Sequence, residues 1–377
     1  MIRRLLENQI SSRLNTGKAI VIMGPRQVGK TTFLQGLPYR AEEVLWFNAD
    51  ETDVKNLFAE ISASRLSALL GKRKILIVDE AQSIENIGLK LKLITDSLKD
   101  VQIFVTGSSS FELANKINEP LTGRKWEFTM YPLSFEEMVN HHGLLEEKRL
   151  LPHRLVYGYY PEIVTNPGDE KQRLKLISQA YLYKDILSWE NIQKPDKLSR
   201  LLQALALQLS AQVSYNELAQ ICGIDAKTVE KYIDLLEKAF IIFRLPSFSR
   251  NLRNELKSSR KIYFYDNGIR NSIIANLNPI ENRTDIGALW ENFLVSERMK
   301  YNNYHQHWKN SYFWRTKEQK EIDLIEEYDG KLHAYEFKWN SRKKTKLSES
   351  FLKAYPGTEL NIISNDNVEC FVTDIKY

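Results

Sequence analysis

Lys18-Ala19-Ile20-Val21-Ile22-Met23 is a short, largely apolar run of strand type, and it passes directly into Gly24-Pro25-Arg26-Gln27-Val28-Gly29-Lys30-Thr31-Thr32. A strand that opens into a glycine-bounded loop, with Phe33-Leu34-Gln35 beginning a helix on the far side, leaves few folds available. Glycines at 24 and 29 let backbone N–H groups turn inward around phosphate oxygens. Lys30 then carries a positive charge to the outer phosphates, and the Thr31 hydroxyl is a ligand for Mg²⁺. The expected cofactors are therefore ATP and Mg²⁺, with Gly24, Pro25, Arg26, Gln27, Val28, Gly29, Lys30, Thr31 and Thr32 around the nucleotide.

Three more strand-like runs follow at the spacing of an α/β fold: Val44–Phe47, Lys74–Val78 and Val101–Val105. The second ends in Asp79-Glu80-Ala81-Gln82, where a carboxylate at a strand's C-terminal tip can hold the Mg²⁺ shell and its neighbour can polarise an attacking water. Asp79 is accordingly the expected metal-side carboxylate and Glu80 the general base. The last run leads into Thr106-Gly107-Ser108-Ser109-Ser110, placed to sense a terminal phosphate. Thr106, Ser108 and Ser109 are all candidates for that role, and Ser108 is counted among the nucleotide-binding residues.

The order of GPRQVGKTT (24–32), ILIVDEAQ (75–82), VTGSSS (105–110), LTGR followed by a strand and YPLSFEEM (121–138), and YLYKDIL (181–187) resembles the AAA+ superfamily, in particular ATPases that carry a nuclease-like C-terminal domain. The resemblance implies a five-stranded parallel sheet with a helical lid, assembled as a homo-oligomeric ring or partial ring. It also implies that Arg124 reaches the ATP of a neighbouring subunit, where it would stabilise transition-state charge. Without a neighbour, Arg124 reads as an exposed loop residue. One departure stands out: Tyr157-Gly158-Tyr159-Tyr160-Pro161 keeps a single glycine where such relatives often carry two.

At 377 residues the chain has room for several domains. The segmentation expected is an ATPase core over 1–135, a lid over 136–200, a winged helix over 201–275 and a nuclease-like domain over 276–377. No run approaches the ~18 apolar residues that span a bilayer, and the amino terminus has no apolar signal core. Cys222 and Cys370 are the only cysteines, too few for a disulfide framework or a cysteine-based zinc site. A cytoplasmic protein without membrane attachment is expected. The net charge of +5 is mild, but between Ile241 and Lys261 six basic residues stand against Glu255 alone. That segment reads as a phosphate-contacting loop or as a solvated one.

Tyr215–Ile221 reads as a helix, Cys222-Gly223-Ile224 as a turn, and Asp225–Lys238 as a second helix with Asp225 as its N-cap. Strands over Ile241–Leu245 and Lys261–Tyr265 flank the basic loop, which gives the pattern of a winged helix. With the second helix in a major groove, Lys227, Thr228, Lys231 and Tyr232 would face DNA, and Arg250, Arg253, Lys257 and Arg260 would meet phosphates. The same fold also serves as a protein-interaction module.

Farther on, the helix Ala288–Glu297 precedes strands at Phe313–Arg315, Glu321–Ile325 and His333–Trp339, the last two joined by a Tyr328-Asp329-Gly330-Lys331 turn. Glu336 and Lys338 lie two apart on one strand and so share a face. With Asp323 they form an Asp…Glu-x-Lys cluster suited to Mg²⁺-assisted phosphodiester cleavage, and Glu291 could complete the metal shell. The arrangement resembles the PD-(D/E)XK nuclease fold, with Ile322 in place of the proline. Such a domain either cleaves DNA or keeps the fold for binding and structure. The aromatic stretch Tyr301–Arg315 reads as strand core or as a base-stacking surface, and His305 and His307 have no third ligand nearby. The function expected overall is an ATPase that acts on DNA. The competing reading is an ATP-driven switch that binds a protein partner.

Overall fold

A computed structural model describes residues 2–108, 117–180, 194–249, 260–316, 318–340 and 349–375. The chain divides into two compact units, one comprising Arg3–Pro132 with Lys238–Phe240 and the other the remainder.

The first unit is built on five parallel strands: β1 (Ala19–Met23), β2 (Val44–Asn48), β3 (Ile75–Asp79), β4 (Gln102–Gly107) and β5 (Lys125–Thr129). Their order across the sheet is β2-β3-β4-β1-β5. Every residue of β1, β3 and β4 is buried, which is why these strands read as continuous apolar runs rather than alternating ones. The register pairs Ile22 with Thr106, Met23 with Thr129 and Asn48 with Asp79. The C-terminal tips of the strands therefore line up along one edge, where an open parallel sheet places its ligands. Gly24 follows the tip of β1 so closely that a Cβ there would lie 2.1 Å from the Met130 carbonyl oxygen.

The second unit contains helices Phe135–His142 and Leu144–Tyr157, a helix-turn-helix of Tyr215–Cys222 and Ala226–Lys238 (all but its last residue), and two small sheets. Asp225 caps the second of these helices, accepting from the Thr228 N–H at 2.9 Å. A three-stranded antiparallel sheet follows, in the order β6 (Gln212–Val213), β8 (Arg260–Phe264), β7 (Ile242–Pro246). The short β6 carries too few residues to announce itself in the sequence. The C-terminal sheet runs β12 (Glu359–Ile363), β11 (Lys331–Phe337), β10 (Glu321–Tyr328), β9 (Asn310–Arg315). Asp329 and Gly330, at φ +50° and +72°, make the tight turn between β10 and β11.

One apolar core runs through this unit, joining Phe135, Met138, Leu151 and Leu155 of the leading helices to Trp290, Phe293, Phe313 and Phe337. Gly158, at φ +77°, lets the chain pass Asp266: a Cβ there would sit 2.1 Å from its Oδ1. The single glycine of the Tyr157–Pro161 stretch thus stands where no side chain fits. Among the described residues no helix is long and apolar enough to cross a membrane.

Candidate functional site

The loop after β1 closes onto the helix Lys30–Gln35 through Gly29, at φ +90°. Lys30 is buried, and its Nζ donates to the carbonyls of Gly24 at 2.9 Å and Pro25 at 2.8 Å. The ammonium thereby bridges the mouth of the loop through two carbonyl oxygens that phosphate oxygens can replace. Gly24, Pro25 and Val28 are buried, whereas Gln27 and Thr32 are exposed.

Thr31 Oγ1 donates to Asp79 Oδ2 at 2.8 Å, joining the loop to the tip of β3 across 48 residues of sequence. The other oxygen, Asp79 Oδ1, takes the hydroxyl of Thr106. Thr106 in turn accepts from the Glu80 N–H at 3.0 Å. Glu80 adopts a left-handed backbone, φ +52°, a conformation disfavoured for a non-glycine residue. Its Oε2 accepts from Gln82 Nε2 at 2.6 Å, and the same amide donates to Ser108 Oγ at 3.1 Å. Among the three hydroxyls left open by the sequence, Thr106 thus belongs to the carboxylates and Ser108 to Gln82. Ser109 lies outside the described residues. Gln82 was not singled out as a site residue by sequence; its place two residues after Glu80, on the turn that ends β3, is the only signal.

Arg124 precedes β5, and its Nε meets Asp96 Oδ1 at 2.6 Å with both side chains partly exposed. The Arg124 hydrogen bond holds the Asp96 carboxyl below the usual range. Such an exposed pair is easily exchanged for another anion.

In the second unit, Glu291, Glu321 and Asp323 bring carboxylate oxygens within 4.8 Å of one another. A register shift between Ile322 and Ile325 re-aims the β10 side chains at this point. Glu321 was not anticipated. Nor was Lys261, which enters from β8 only 1% exposed. Its Nζ donates to Glu291 Oε1 at 2.7 Å and pairs with Glu321. Tyr263 Oη adds a donor to the same Glu291 oxygen at 2.7 Å. Glu336 lies near Asp323 without joining the trio, and Lys338 Nζ lies 3.4 Å from its Oε2. The trio shares Glu291 and Asp323 with the expected ligand set of Glu291, Asp323 and Glu336, and adds Glu321. An ammonium already sits among these carboxylates, and the donor set does not fit a resident Mg²⁺. Burial lowers the Lys261 ammonium, but Glu291, Glu321 and Asp323 more than offset this and hold it charged.

Burial, then the Asp323 charge, pushes the Glu336 carboxyl up to about 7. Its unfolded value is roughly 4.3, so the folded unit binds an extra proton between these limits and its stability falls as pH rises through them. The difference is about 2 kcal/mol, so thermal melts should show the second unit melting about 4–8 °C lower at pH 8 than at pH 5.5. Glu336→Gln should shrink that gap, and an unchanged gap would mean that Glu336 is not the group responsible.

On the helix-turn-helix, Lys227 and Lys231 are exposed as expected and Thr228 is half-buried. Tyr232 is a correction: it is 4% exposed and belongs to the core with Val229, Ile233 and Leu236. Helical spacing accounts for this, since 232 lies three residues from 229 and four from 236. Arg260 is half-buried, with Nη1 3.3 Å from the Tyr215 hydroxyl. Arg250, Arg253 and Lys257 lie outside the described residues, as does the stretch 181–187. Of the late aromatics, Tyr304 and Phe313 are buried but Trp308 is 94% exposed. His305 bonds Glu136 at 2.8 Å.

The sheet order, the phosphate-type loop and the Thr31–Asp79 pair, together with a match of residues 16–139 to the family described as AAA domain, define a P-loop AAA-type ATPase fold followed by an α/β domain. Residues 148–281 match a domain of unknown function (DUF8612) and residues 286–374 another (DUF4143). The chain is 24% identical over 344 residues to an uncharacterized protein of Mycobacterium tuberculosis, covering 90% of this chain and 74% of that one. It is 25% identical over 285 residues to an uncharacterized protein of Methanocaldococcus jannaschii, covering 70% and 64%. A solved Walker-type ATPase of Pyrococcus abyssi superposes with a TM-score of 0.49 at 16% identity, over 72% of this chain and 96% of that one.

Proposed function

We propose that the chain hydrolyses ATP with Mg²⁺ and couples the cycle to DNA held by its second unit. The observation that carries the ATPase part is the 2.8 Å contact of Thr31 Oγ1 with Asp79 Oδ2, because a hydroxyl and a carboxylate converging beside a phosphate loop are the hard oxygen donors Mg²⁺ prefers. Bound there, Mg²⁺ would neutralise charge on the outer phosphates. Lys30 exchanges the Gly24 and Pro25 carbonyls for phosphate oxygens. Glu80 takes a proton from the attacking water, and Gln82 orients its carboxylate. In a homo-oligomer Arg124 leaves Asp96 for the phosphates of a neighbouring subunit.

The DNA part is supported by the exposed Lys227 and Lys231 on the second helix of the helix-turn-helix, read as a winged helix, and by the basic Arg250, Arg253, Lys257 and Arg260 in the sequence that follows it. Trp308 offers a stacking surface. Lys261 among the carboxylates favours a C-terminal domain that grips DNA without cutting it, so labelled duplex incubated with Mg²⁺ should stay intact. ATP turnover should rise with duplex DNA. Lys227→Ala with Lys231→Ala should remove the stimulation, leave basal turnover unchanged and reduce the salt slope of DNA binding by about two. Turnover indifferent to DNA would instead favour the switch that binds a protein partner.

A further inference from the structure

Arg4 precedes the helix Leu6–Ser11 and would pass in the sequence for a basic residue of an exposed terminus. It is instead 7% exposed. Its Nη1 donates to the Val28 carbonyl at 2.8 Å and its Nη2 to the Tyr131 carbonyl at 2.6 Å. The first acceptor belongs to the phosphate loop and the second lies just beyond β5.

Peptide geometry gives the first bond a consequence. In a trans peptide the C=O and the following N–H point in opposite directions, and the described chain has no cis peptide. Holding the Val28 carbonyl against Arg4 therefore aims the Gly29 N–H away from Arg4 and leaves it as a donor for an anion in the loop. A carbonyl free to rotate would present its oxygen to the phosphates for part of the time, and oxygen facing oxygen opposes binding.

The second bond stays within the ATPase unit and joins two places where the chain leaves it. The chain passes between its two compact units between Ile2 and Arg3, and again between Pro132 and Leu133. Arg4 lies next to the first passage and holds the carbonyl of Tyr131, next to the second. Met130, one residue earlier, donates its N–H to the Met23 carbonyl at 2.8 Å and crowds Gly24. Segment 130–131 thus meets the loop at its start directly and near its end through Arg4.

We infer that Arg4 is a positioning residue for nucleotide binding, and that through it phosphate in the loop stiffens the Met130–Leu133 exit from the ATPase unit. This rests on the ATP site proposed above. The test uses the full chain as wild type, Arg4→Met and Arg4→Lys. MgATP affinity is measured by competition with a fluorescent ATP analogue, and amide exchange at Met130, Tyr131 and Leu133 with and without MgATP. Wild type should bind MgATP and exchange more slowly at these amides when it is bound. Arg4→Met should bind roughly tenfold more weakly, the loss expected when a charge-assisted bond of this kind is removed, and its exchange should no longer respond to nucleotide. Arg4→Lys, with one ammonium for two carbonyls, should fall between; it decides the matter where Arg4→Met does not fold. A variant that binds MgATP within twofold of wild type, or keeps the nucleotide response, overturns the inference. Absence of MgATP binding by wild type is a different failure, that of the ATP site itself.

Discussion

Glu80→Gln should lower the rate of ATP hydrolysis by about 10²–10⁴-fold, the range a positioned general base supplies, while MgATP binding stays within a few-fold of wild type. The substitution preserves shape and removes only the capacity to accept a proton. The side-chain oxygen of the new amide can still accept from Gln82, which donates to Glu80 at 2.6 Å. Asp79 keeps Thr31 and Thr106, so the metal-side carboxylate and the loop are undisturbed. Phosphate release and fluorescent-nucleotide titration on the same preparations separate the two quantities. Turnover within tenfold of wild type would remove Glu80 from the chemistry. A loss of binding equal to the loss of turnover would assign it to nucleotide affinity instead. Lys30→Ala is the natural contrast, since it should abolish binding and therefore cannot distinguish these roles.

Such a test can be designed largely because the nucleotide site is written in contiguous sequence. A strand, a glycine-bounded loop and a helix start occupy residues 18–35, and each fixes its own backbone. The tip of β3 is equally legible, because four buried apolar residues before Asp79 commit it to a central strand. Register then does the rest: once β1 and β3 lie in one parallel sheet, Thr31 and Asp79 share an edge despite a separation of 48 positions in the sequence. The Tyr328–Lys331 turn was legible for a similar local reason, as Asp-Gly suits two consecutive positive φ values.

What the sequence withheld depends on partners that tertiary packing alone assigns. Arg4 finds its acceptors 24 and 127 residues away, and nothing local distinguishes it from Arg3. Lys261 closes a basic run that reads as a phosphate-contacting or a solvated loop and opens the strand that follows, yet β8 buries nearly all its residues and takes the ammonium inside. Glu321 carries no motif, and the register shift in β10 that re-aims neighbouring side chains has no signature. Tyr232 was misplaced for a different reason. The second helix buries a broad face rather than a narrow stripe, and a tyrosine at its margin belongs to the core.

Lys261→Met should cost the second unit roughly 3–5 kcal/mol, the penalty of stranding a buried ion-pair partner. The methionine chain fills much the same space, so packing changes little and the effect isolates the charge. Glu291 and Glu321 then lose the ammonium that both contact, and Asp323 loses a nearby positive charge. Three carboxylates confined within 4.8 Å cannot all remain ionised without it. They take up protons instead, so the sign of the pH dependence follows. The penalty should be largest at pH 8 and shrink below about pH 5, where carboxylates of this kind are protonated at little cost. Urea unfolding followed at both pH values measures the difference. Lys261→Met combined with Glu291→Gln and Glu321→Gln should recover most of the loss, because neutral amides need no counter-ion and can hydrogen-bond one another. If the single substitution were as stable as wild type at pH 8, the ammonium would not be the group that holds these carboxylates together. The lack of fit between this cluster and a resident metal ion would then lose its physical basis.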